Sequence, residues 1–208
     1  MKLGISQTDD LVFQFINHMA VTFSTLNPFM RFLSEKAEYL FYLGIIVYWF
    51  TRIHKNRQMV ITTLFSACVG FGLGSILSHF FYRDRPFVHD TVNQLIEHSA
   101  NASFPSDHSI GAFVIATGIG LFHKKDGVIW LVLAGLISFS RIWNGVHYPS
   151  DVITGAFIGV ISALMIYQMV HRWSVAYKCL NVGIDLYEKI EKKIWINYKK
   201  DRSSNLKN

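Results

Sequence analysis

The chain has 208 residues, about the length of one domain. Its hydrophobic fraction of 51% is close to the usual value, but its charged fraction of 16% lies well below the usual value of roughly 25%. Intrinsic disorder is excluded, because so many apolar and aromatic residues can bury far more surface than a disordered chain does. The two cysteines, Cys68 and Cys179, lie in separate segments, which argues against a disulfide framework or a CxxC metal or redox site.

The charged residues are confined to the ends of long neutral segments. Residues 11–30, 58–82 and 152–170 contain no Asp, Glu, Lys or Arg, and each is long enough to cross a hydrocarbon core of about 30 Å as a helix. Three shorter neutral runs reach a similar length when interfacial flanking residues are added. We therefore predict an all-α integral membrane protein. Its six transmembrane helices would form a bundle, at about 11–30, 37–53, 58–82, 108–123, 127–143 and 151–171.

Lysine and arginine predict how these spans are oriented. They are concentrated in two short turns, at residues 52–57 and 124–125, and in the segment that follows Arg172. Because cytoplasmic loops carry an excess of Lys and Arg, both termini are predicted to be cytoplasmic. The segment 83–107 and the turn after Arg141 would then lie on the outer face. The membrane domain is predicted to cover residues 1–172.

Residues 173–208 form a basic tail with a helical pattern. Because its apolar residues recur every three or four positions between lysines, the tail is predicted to form an amphipathic helix lying on anionic cytoplasmic lipid. A solvated helix packed on the bundle explains the same pattern, and the sequence leaves both interpretations open. The apolar positions are Val175, Cys179, Val182, Leu186, Ile190 and Ile194.

Three polar clusters lie at one membrane level in this topology, at residues 83–87, 104–108 and 140–151. Arg85 and Arg141 can hold phosphoryl oxygens in forked hydrogen bonds. Ser106 occupies the expected N-cap of a helix, where a hydroxyl and free backbone amides make an anion site. The three residues together indicate a phosphate site.

The same clusters supply groups for catalysis. His108 and His147 are two imidazoles, one able to attack phosphorus and the other to protonate a leaving oxygen. Asp151, four residues after His147, can accept a hydrogen bond from one ring nitrogen and fix the tautomer. Each residue taken alone is more often an ordinary polar residue at a helix end. Their conjunction predicts a phosphoryl-transfer site.

These motifs resemble the signature of the type 2 phosphatidic acid phosphatase superfamily. The elements are Arg85-Pro86, the run PSDH at residues 105–108, and SRIWNGVHYPSD at residues 140–151. The resemblance covers about residues 52–172. The stretch RPFVHDTVNQLIEHSANASFPSDH is similar more particularly to the bacitracin-resistance type of undecaprenyl diphosphate phosphatase.

The resemblance implies a role for each matching residue. His147 would be the nucleophile oriented by Asp151, and His108 the general acid and later the base. The phosphoryl group would be bound by the side chains of Arg85, Ser106 and Arg141 and by the backbone amides of Asp107 and His108.

The sequence departs from the family pattern at two positions. Ser78 stands where the family commonly has Lys, and whether Arg83 replaces that lysine is left open. Asp107 stands where many members have Gly, a change that the bacitracin-resistance branch shares. The motif gives no role to His79, His89 and His98, which are predicted to be polar loop residues.

The resemblance implies hydrolysis of undecaprenyl diphosphate to undecaprenyl phosphate at the outer face of a bacterial plasma membrane. This reaction would support cell-wall carrier recycling and bacitracin resistance. A phosphatase for phosphatidate or phosphatidylglycerol phosphate is the first alternative, and a transporter or lipid-binding protein is less favoured. The expected partners are a polyprenyl diphosphate and membrane lipids. We predict no metal and no other cofactor. Nucleic acid is not expected, because the surplus lysines flank the membrane.

Overall fold

The computed structural model describes the backbone of residues 4–205 and the side chains of residues 7–196. Within these limits the chain is helical and has no β-strand. A 3₁₀ turn at Ser24–Leu26 separates the first two helices. The α-helices are α1 Gly4–Thr22, α2 Asn27–Glu35, α3 Glu38–Phe50, α4 His54–Phe80, α5 Pro86–His89, α6 Asp107–Phe122, α7 Lys124–Trp143, α8 Pro149–Arg172 and α9 Ser174–Asn205.

Three helices, α4, α7 and α8, are long and apolar enough to cross a membrane, and α3 and α6 are shorter apolar helices. Their outward faces carry exposed large side chains, including Phe65 on α4, Val132 on α7 and Phe157 on α8. Helices that are hydrophobic all round are typical of membrane spans. The described helices therefore have the character of an integral membrane bundle.

Glycines on α8 bring the beginnings of α6 and α8 together. A Cβ atom on Gly155 would lie 2.6 Å from the carbonyl oxygen of Ser106, and one on Gly159 would lie 2.7 Å from the carbonyl oxygen of Ile110. Small residues four apart allow two helix backbones to approach closely in a membrane. This contact fixes the N-terminus of α6 beside the first turn of α8.

The N-terminal region differs from the single span predicted over residues 11–30. Helix α1 ends at Thr22 and α2 starts at Asn27. Pro28 explains the interruption, because it donates no backbone N–H and its ring clashes with a preceding helical turn. The Asn17 amide donates to the carbonyl oxygens of Asn93 and Trp143.

Both ends of this N-terminal region lie at the same end of the bundle. Asp9 contacts Ser150 at the start of α8, and Asn27 accepts a hydrogen bond from the indole of Trp143 at the end of α7. A region whose two ends lie at the same end of the bundle does not cross it in a single pass. Helices α1 and α2 therefore lie across the end that holds the start of α8.

Helix α9 packs on the opposite end of the bundle. The buried guanidinium of Arg57, near the start of α4, lies 3.1 Å from Glu188 and 2.6 Å from Glu191. The ring of Trp49 contacts Tyr187 at a centroid distance of 5.0 Å. The predicted apolar stripe of the tail points elsewhere, since Val175, Cys179, Val182, Leu186, Ile190 and Ile194 are all exposed.

Candidate active site

His147 lies in the turn between α7 and α8 and is buried. Gly145 makes this turn possible, because its φ of 78° lies in the left-handed region and a Cβ there would lie 3.0 Å from the carbonyl oxygen of Asn93. The amide of Leu95 donates to the carbonyl of Asn144, which ties the same turn to the long segment before α6. The turn that carries the imidazole is therefore tied to the segment before α6.

Asp151 lies in the first turn of α8 and is fully buried. Its Oδ2 atom is 3.6 Å from Nδ1 of His147, and it accepts hydrogen bonds from the Ser103 hydroxyl at 2.5 Å and the Tyr148 amide at 2.9 Å. The Ser103 oxygen is itself 3.4 Å from Nδ1 of His147. The carboxylate is thus fixed by two donors and faces the ring nitrogen that the sequence predicted it to orient.

Arg85 approaches His147 from the other side of the ring. Its Nη1 atom lies 3.0 Å from Nε2 of His147 and 2.9 Å from the carbonyl oxygen of Val146. Its Nε atom donates a hydrogen bond to the side-chain oxygen of Asn101, and its Nη2 atom donates one to the carbonyl oxygen of Ala102. A guanidinium can only donate, so Nε2 carries the lone pair and Nδ1 the proton.

Two effects of the surroundings set the charge of the imidazole. Burial, reinforced by the positive charges of Arg141 and Arg85, lowers the pKa of His147 to about 4, although Asp151 acts in the opposite direction. The ring is therefore neutral near pH 7. A neutral imidazole with its lone pair on Nε2 is the form that a nucleophile requires.

Buried donors without a hydrogen-bond partner among the described residues lie at the same end of the bundle. Arg141 is buried, and its Nη1 atom donates to the carbonyl and hydroxyl oxygens of Ser34 at 3.1 Å and 2.8 Å. Its Nε and Nη2 atoms and the hydroxyl of Ser106 have no partner among the described residues. Buried donors left unpaired are costly, so an anion that accepts from them would be bound favourably.

Ser106 is the N-cap of α6, as predicted, and its hydroxyl does not cap the helix. The first amides of the helix, including those of Asp107 and His108, have no acceptor within the helix. The helix dipole adds a partial positive charge at the same point. The Asp107 side chain is exposed, so its amide, rather than its carboxylate, belongs to the predicted anion site.

His108 lies one residue further along α6 and is partly exposed, at 24% for its side chain. Its Nε2 atom is 3.4 Å from Oε2 of Glu38 at the start of α3. Through this contact the carboxylate can hold the imidazole in place. The structure therefore brings all seven predicted site residues to one end of the bundle.

The match to known proteins covers this region. The family model described as the PAP2 superfamily matches residues 58–174, which is more than half of the chain. The chain belongs to the PAP2 superfamily. The bacitracin transport permease protein BcrC of Bacillus licheniformis is 44% identical over 193 residues, which are 92% of this chain and 93% of that protein. The undecaprenyl-diphosphatase BcrC of Bacillus subtilis is 33% identical over 159 residues, or 76% and 81% of the two chains.

A solved PAP2 relative has the same fold. The crystal structure of Aquifex aeolicus LpxE superposes with a TM-score of 0.64 at 28% identity, over 76% of this chain and 93% of that chain. A PAP2 type phosphatidylglycerolphosphate phosphatase from Bacillus subtilis superposes with a TM-score of 0.61 at 23% identity, a likeness of fold alone. Together with the apolar helices, these relatives identify an integral membrane protein.

Several residues of this PAP2 site were missed by the sequence analysis. Ser103 lies just before the PSDH run, whereas Ser34 and Glu38 belong to α2 and α3, far from any motif. His98 was predicted to have no role, but its ring lies 6.4 Å from that of His147. Burial also lowers the pKa of His98. Only Ser103 was close enough to a motif for sequence reasoning to find it.

The structure also shows the surroundings of Ser78, which stands where the family commonly has Lys. Ser78 lines a cleft of about 540 Å³ together with Asn101 and Asp107. Arg83 is turned toward Asp9 and Ser150 instead. The structure therefore gives no support to Arg83 as a substitute for the lysine.

A possible metal-binding group among the described side chains lies elsewhere. His54, Asp185 and Glu188 could offer ligands to one ion, but they are at the α9 end of the bundle. Glu188 is already paired with Arg57. The PAP2 site combines imidazoles, guanidinium groups, hydroxyls and helix amides with the carboxylate of Asp151, and its donors are suited to a phosphoryl group.

Proposed function

We propose that this PAP2 protein hydrolyses undecaprenyl diphosphate to undecaprenyl phosphate and inorganic phosphate, which recycles the cell-wall lipid carrier and supports bacitracin resistance. The two BcrC relatives point to this substrate. The observation that carries the proposal is the set of buried, unpartnered donors on Arg141 and Ser106. They lie at the end of the bundle that also holds a neutral imidazole.

In the first step, Nε2 of His147 attacks the terminal phosphorus and the bond to the bridging oxygen breaks. In the structure, Nη1 of Arg85 donates a hydrogen bond to Nε2 of His147. As the N–P bond forms, this hydrogen bond must be transferred to a phosphoryl oxygen. His108 gives its proton to the departing oxygen of undecaprenyl phosphate. The developing imidazolium keeps its Nδ1 proton directed at Asp151 and Ser103, which stabilises its charge.

In the second step, water hydrolyses the phosphohistidine. His108, now neutral, removes a proton from the water while the water oxygen attacks phosphorus. The N–P bond breaks, inorganic phosphate leaves, and the neutral form of His147 is restored. Arg141, Arg85, Ser106 and the α6 amides offset the charge on the transferred group in both steps, which is the main source of catalysis in phosphoryl transfer.

A lipid substrate suits the surroundings of the general acid. A cavity of about 120 Å³ beside His108 is lined mainly by apolar residues, among them Phe41, Phe71 and Ile115. A phosphate held at the N-terminus of α6 would leave the attached chain close to these side chains. We propose that the lipid portion of the leaving group lies against this wall.

We place the site on the extracytoplasmic face of a bacterial plasma membrane. In this arrangement α3, α4, α6, α7 and α8 cross the bilayer, and the basic residues near 52–57 and 124–125 are cytoplasmic. The α1–α2 region lies at the site end, so we propose that α1 begins on the external side. This arrangement has five spans and replaces the first predicted span, at 11–30, and the cytoplasmic N-terminus expected from the sequence. Residues 1–172 would carry catalysis.

The tail, residues 173–208, would lie on the cytoplasmic surface. Its exposed apolar stripe would contact lipid while Glu188 and Glu191 hold α9 to Arg57. This arrangement combines the two interpretations of the tail, because one face packs on the bundle and another faces the membrane.

A transporter is the second class of function to consider, because one BcrC relative is described as a transport permease. Transporters place ionisable groups near mid-span at broken helices. Here His108, Arg141 and Asp151 lie at helix ends on one side. This arrangement favours phosphatase chemistry at an interface.

The test of substrate class is phosphate release by purified protein from undecaprenyl diphosphate, undecaprenyl phosphate, phosphatidate and phosphatidylglycerol phosphate in matched micelles. We expect the highest kcat/KM with undecaprenyl diphosphate. A clear preference for phosphatidate or phosphatidylglycerol phosphate would support the first alternative and leave the histidine mechanism standing. No release from any of the four lipids would contradict a phosphatase function.

We also predict that chelators leave the activity intact. The proposed route stabilises phosphoryl charge with arginines and backbone amides, so no step depends on a divalent cation. The measurement is phosphate release before and after treatment with EDTA. Complete loss of activity that Mg²⁺ or Zn²⁺ restores would overturn the metal-free mechanism.

A further inference from the structure

Arg83 contacts the catalytic carboxylate from the side away from His147. Its Nη1 atom is 3.5 Å from Oδ1 of Asp151, whereas Oδ2 of the same carboxylate faces His147 and Ser103. The guanidinium also lies 3.5 Å from the ring centroid of Tyr148. The backbone carbonyl of Arg83 accepts a hydrogen bond from the amide of Ser103. Arg83 therefore braces both Asp151 and the serine that donates to it.

Asp9 joins this cluster from the N-terminal helix. Its side chain is 8% exposed, and its Oδ2 atom is 2.6 Å from Nη1 of Arg83. Its two oxygens also accept hydrogen bonds from the amide and hydroxyl of Ser150, at 2.8 Å and 2.6 Å. A buried carboxylate with three donors is fixed in position. Helix α1 is thereby attached to the residue preceding Asp151.

We propose that Asp9 and Arg83 are positioning residues, which set the orientation and effective charge of Asp151 and act on His147 only through it. The inference rests on the proposed function for the reaction, but it assigns roles that no family motif contains. Arg83 does not touch the predicted anion site. The alternative assignment, Arg83 as a phosphate ligand in place of the family lysine, predicts a different kinetic effect.

The charges facing His147 determine the expected direction of that effect. The positive charge of Arg83 partly cancels the negative charge of Asp151, so the carboxylate stabilises the imidazolium form of His147 less strongly. The negative charge of Asp9 in turn partly cancels the positive charge of Arg83. Removing Arg83 should therefore favour protonated His147, and removing Asp9 should favour the neutral form. The other charged or titratable groups that act on the ring are Arg85, Arg141, His98 and His108, and all of them remain in these variants.

The experiment compares the pH profiles of kcat for the parent, Arg83→Gln and Asp9→Asn with undecaprenyl diphosphate. Because attack requires neutral His147, the acid limb reports its protonation. We expect the acid limb to shift to higher pH by about 0.5 to 1 unit in Arg83→Gln and to lower pH in Asp9→Asn. KM should change less than twofold in both, because neither residue reaches the substrate. Arg83→Lys keeps the charge and should restore the parent limb.

Asp84→Asn is the matched control, because Asp84 is an exposed carboxylate beside Arg83 in sequence that pairs with His89 instead. It should leave kcat, KM and the acid limb unchanged. If Arg83→Gln is not recovered folded, Arg83→Met carries the same charge change and retains a stem that can pack on Tyr148. Thermal unfolding in detergent separates loss of fold from loss of positioning.

The outcomes distinguish a positioning role of Arg83 and Asp9 from a phosphate-binding role of Arg83, and both from failure of the proposed function. Acid limbs that stay at the parent pH, or that move in the same direction in both variants, would overturn the positioning role. A rise in KM of tenfold or more in Arg83→Gln would identify a phosphate ligand and would also overturn it. Failure of the parent to release phosphate would contradict the proposed function itself.

Discussion

Replacing His147 by Ala or Gln should lower kcat for phosphate release roughly a thousandfold or more. Among the described residues, the neighbouring imidazole of His98 is not an equivalent nucleophile, since its Nδ1 atom is 3.1 Å from the carbonyl of Ser99 and no carboxylate aligns it. Removing a nucleophile takes away the whole covalent route and leaves only transition-state binding. The measurement is single-turnover phosphate release with undecaprenyl diphosphate.

The control for this variant is His89→Gln. His89 lies on the same end of the bundle but is exposed and pairs with Asp84, outside the site. It should retain activity near that of the parent. Gln at position 147 can still accept a hydrogen bond from Arg85, so the fold should persist in thermal unfolding measurements. More than a few per cent residual kcat in a folded His147→Ala preparation would argue against its nucleophilic role.

Replacing Arg141 by Lys should lower kcat/KM by roughly a hundredfold to a thousandfold. The guanidinium uses one nitrogen to hold Ser34, and its buried Nε and Nη2 atoms have no partner in the part of the chain that the structure describes. A lysine offers one point charge and cannot satisfy Ser34 and make a forked contact with a phosphoryl group together. The loss should appear in kcat as well as KM, because charge on the transferred group increases in the transition state.

Arg31→Lys is the matched control for the arginine variant. Arg31 is an exposed residue of α2, on the same helix as Ser34. It should leave the kinetic constants unchanged. Arg141→Lys with near-parent kcat/KM would mean that the unpartnered donors do not bind the phosphoryl group, and the anion site would have to be moved to Arg85 and the α6 amides alone.

The sequence predicted the site best where the catalytic groups are close together in one motif. His147 and Asp151 are four residues apart, so one turn and the start of one helix place both, and their pairing could be expected. Ser106 as an N-cap follows from the same local logic. The unfilled hydrogen bonds of Arg141 could not be predicted, because they depend on Ser34 from a distant helix.

The contributions of the N-terminal region could not be derived from hydropathy. Residues 11–30 are neutral, and run length alone cannot distinguish a crossing helix from two helices that lie across the bundle. Pro28 was the local signal for the break. The long-range pairing of Asp9 with Arg83, across 74 positions, is a tertiary contact with no sequence period.

The tail shows the same limit. Its apolar period predicted an amphipathic helix, but the acidic residues that dock it are scattered among its lysines. Glu188 and Glu191 are three residues apart, so they lie on one helical face and meet the buried Arg57 together. The packing of the tail on the bundle depends on this partner in α4, which the apolar period of the tail does not reveal.

The most direct test of the covalent mechanism is to trap the intermediate. Undecaprenyl diphosphate labelled with ³²P in the terminal phosphate is mixed with enzyme, quenched in alkali within milliseconds and digested for mass spectrometry. We predict an acid-labile, alkali-stable phosphoryl group on His147 that forms before free phosphate appears and is missing from His147→Ala. Release of labelled phosphate in the first turnover with no labelled protein, or label on another residue, would contradict the mechanism.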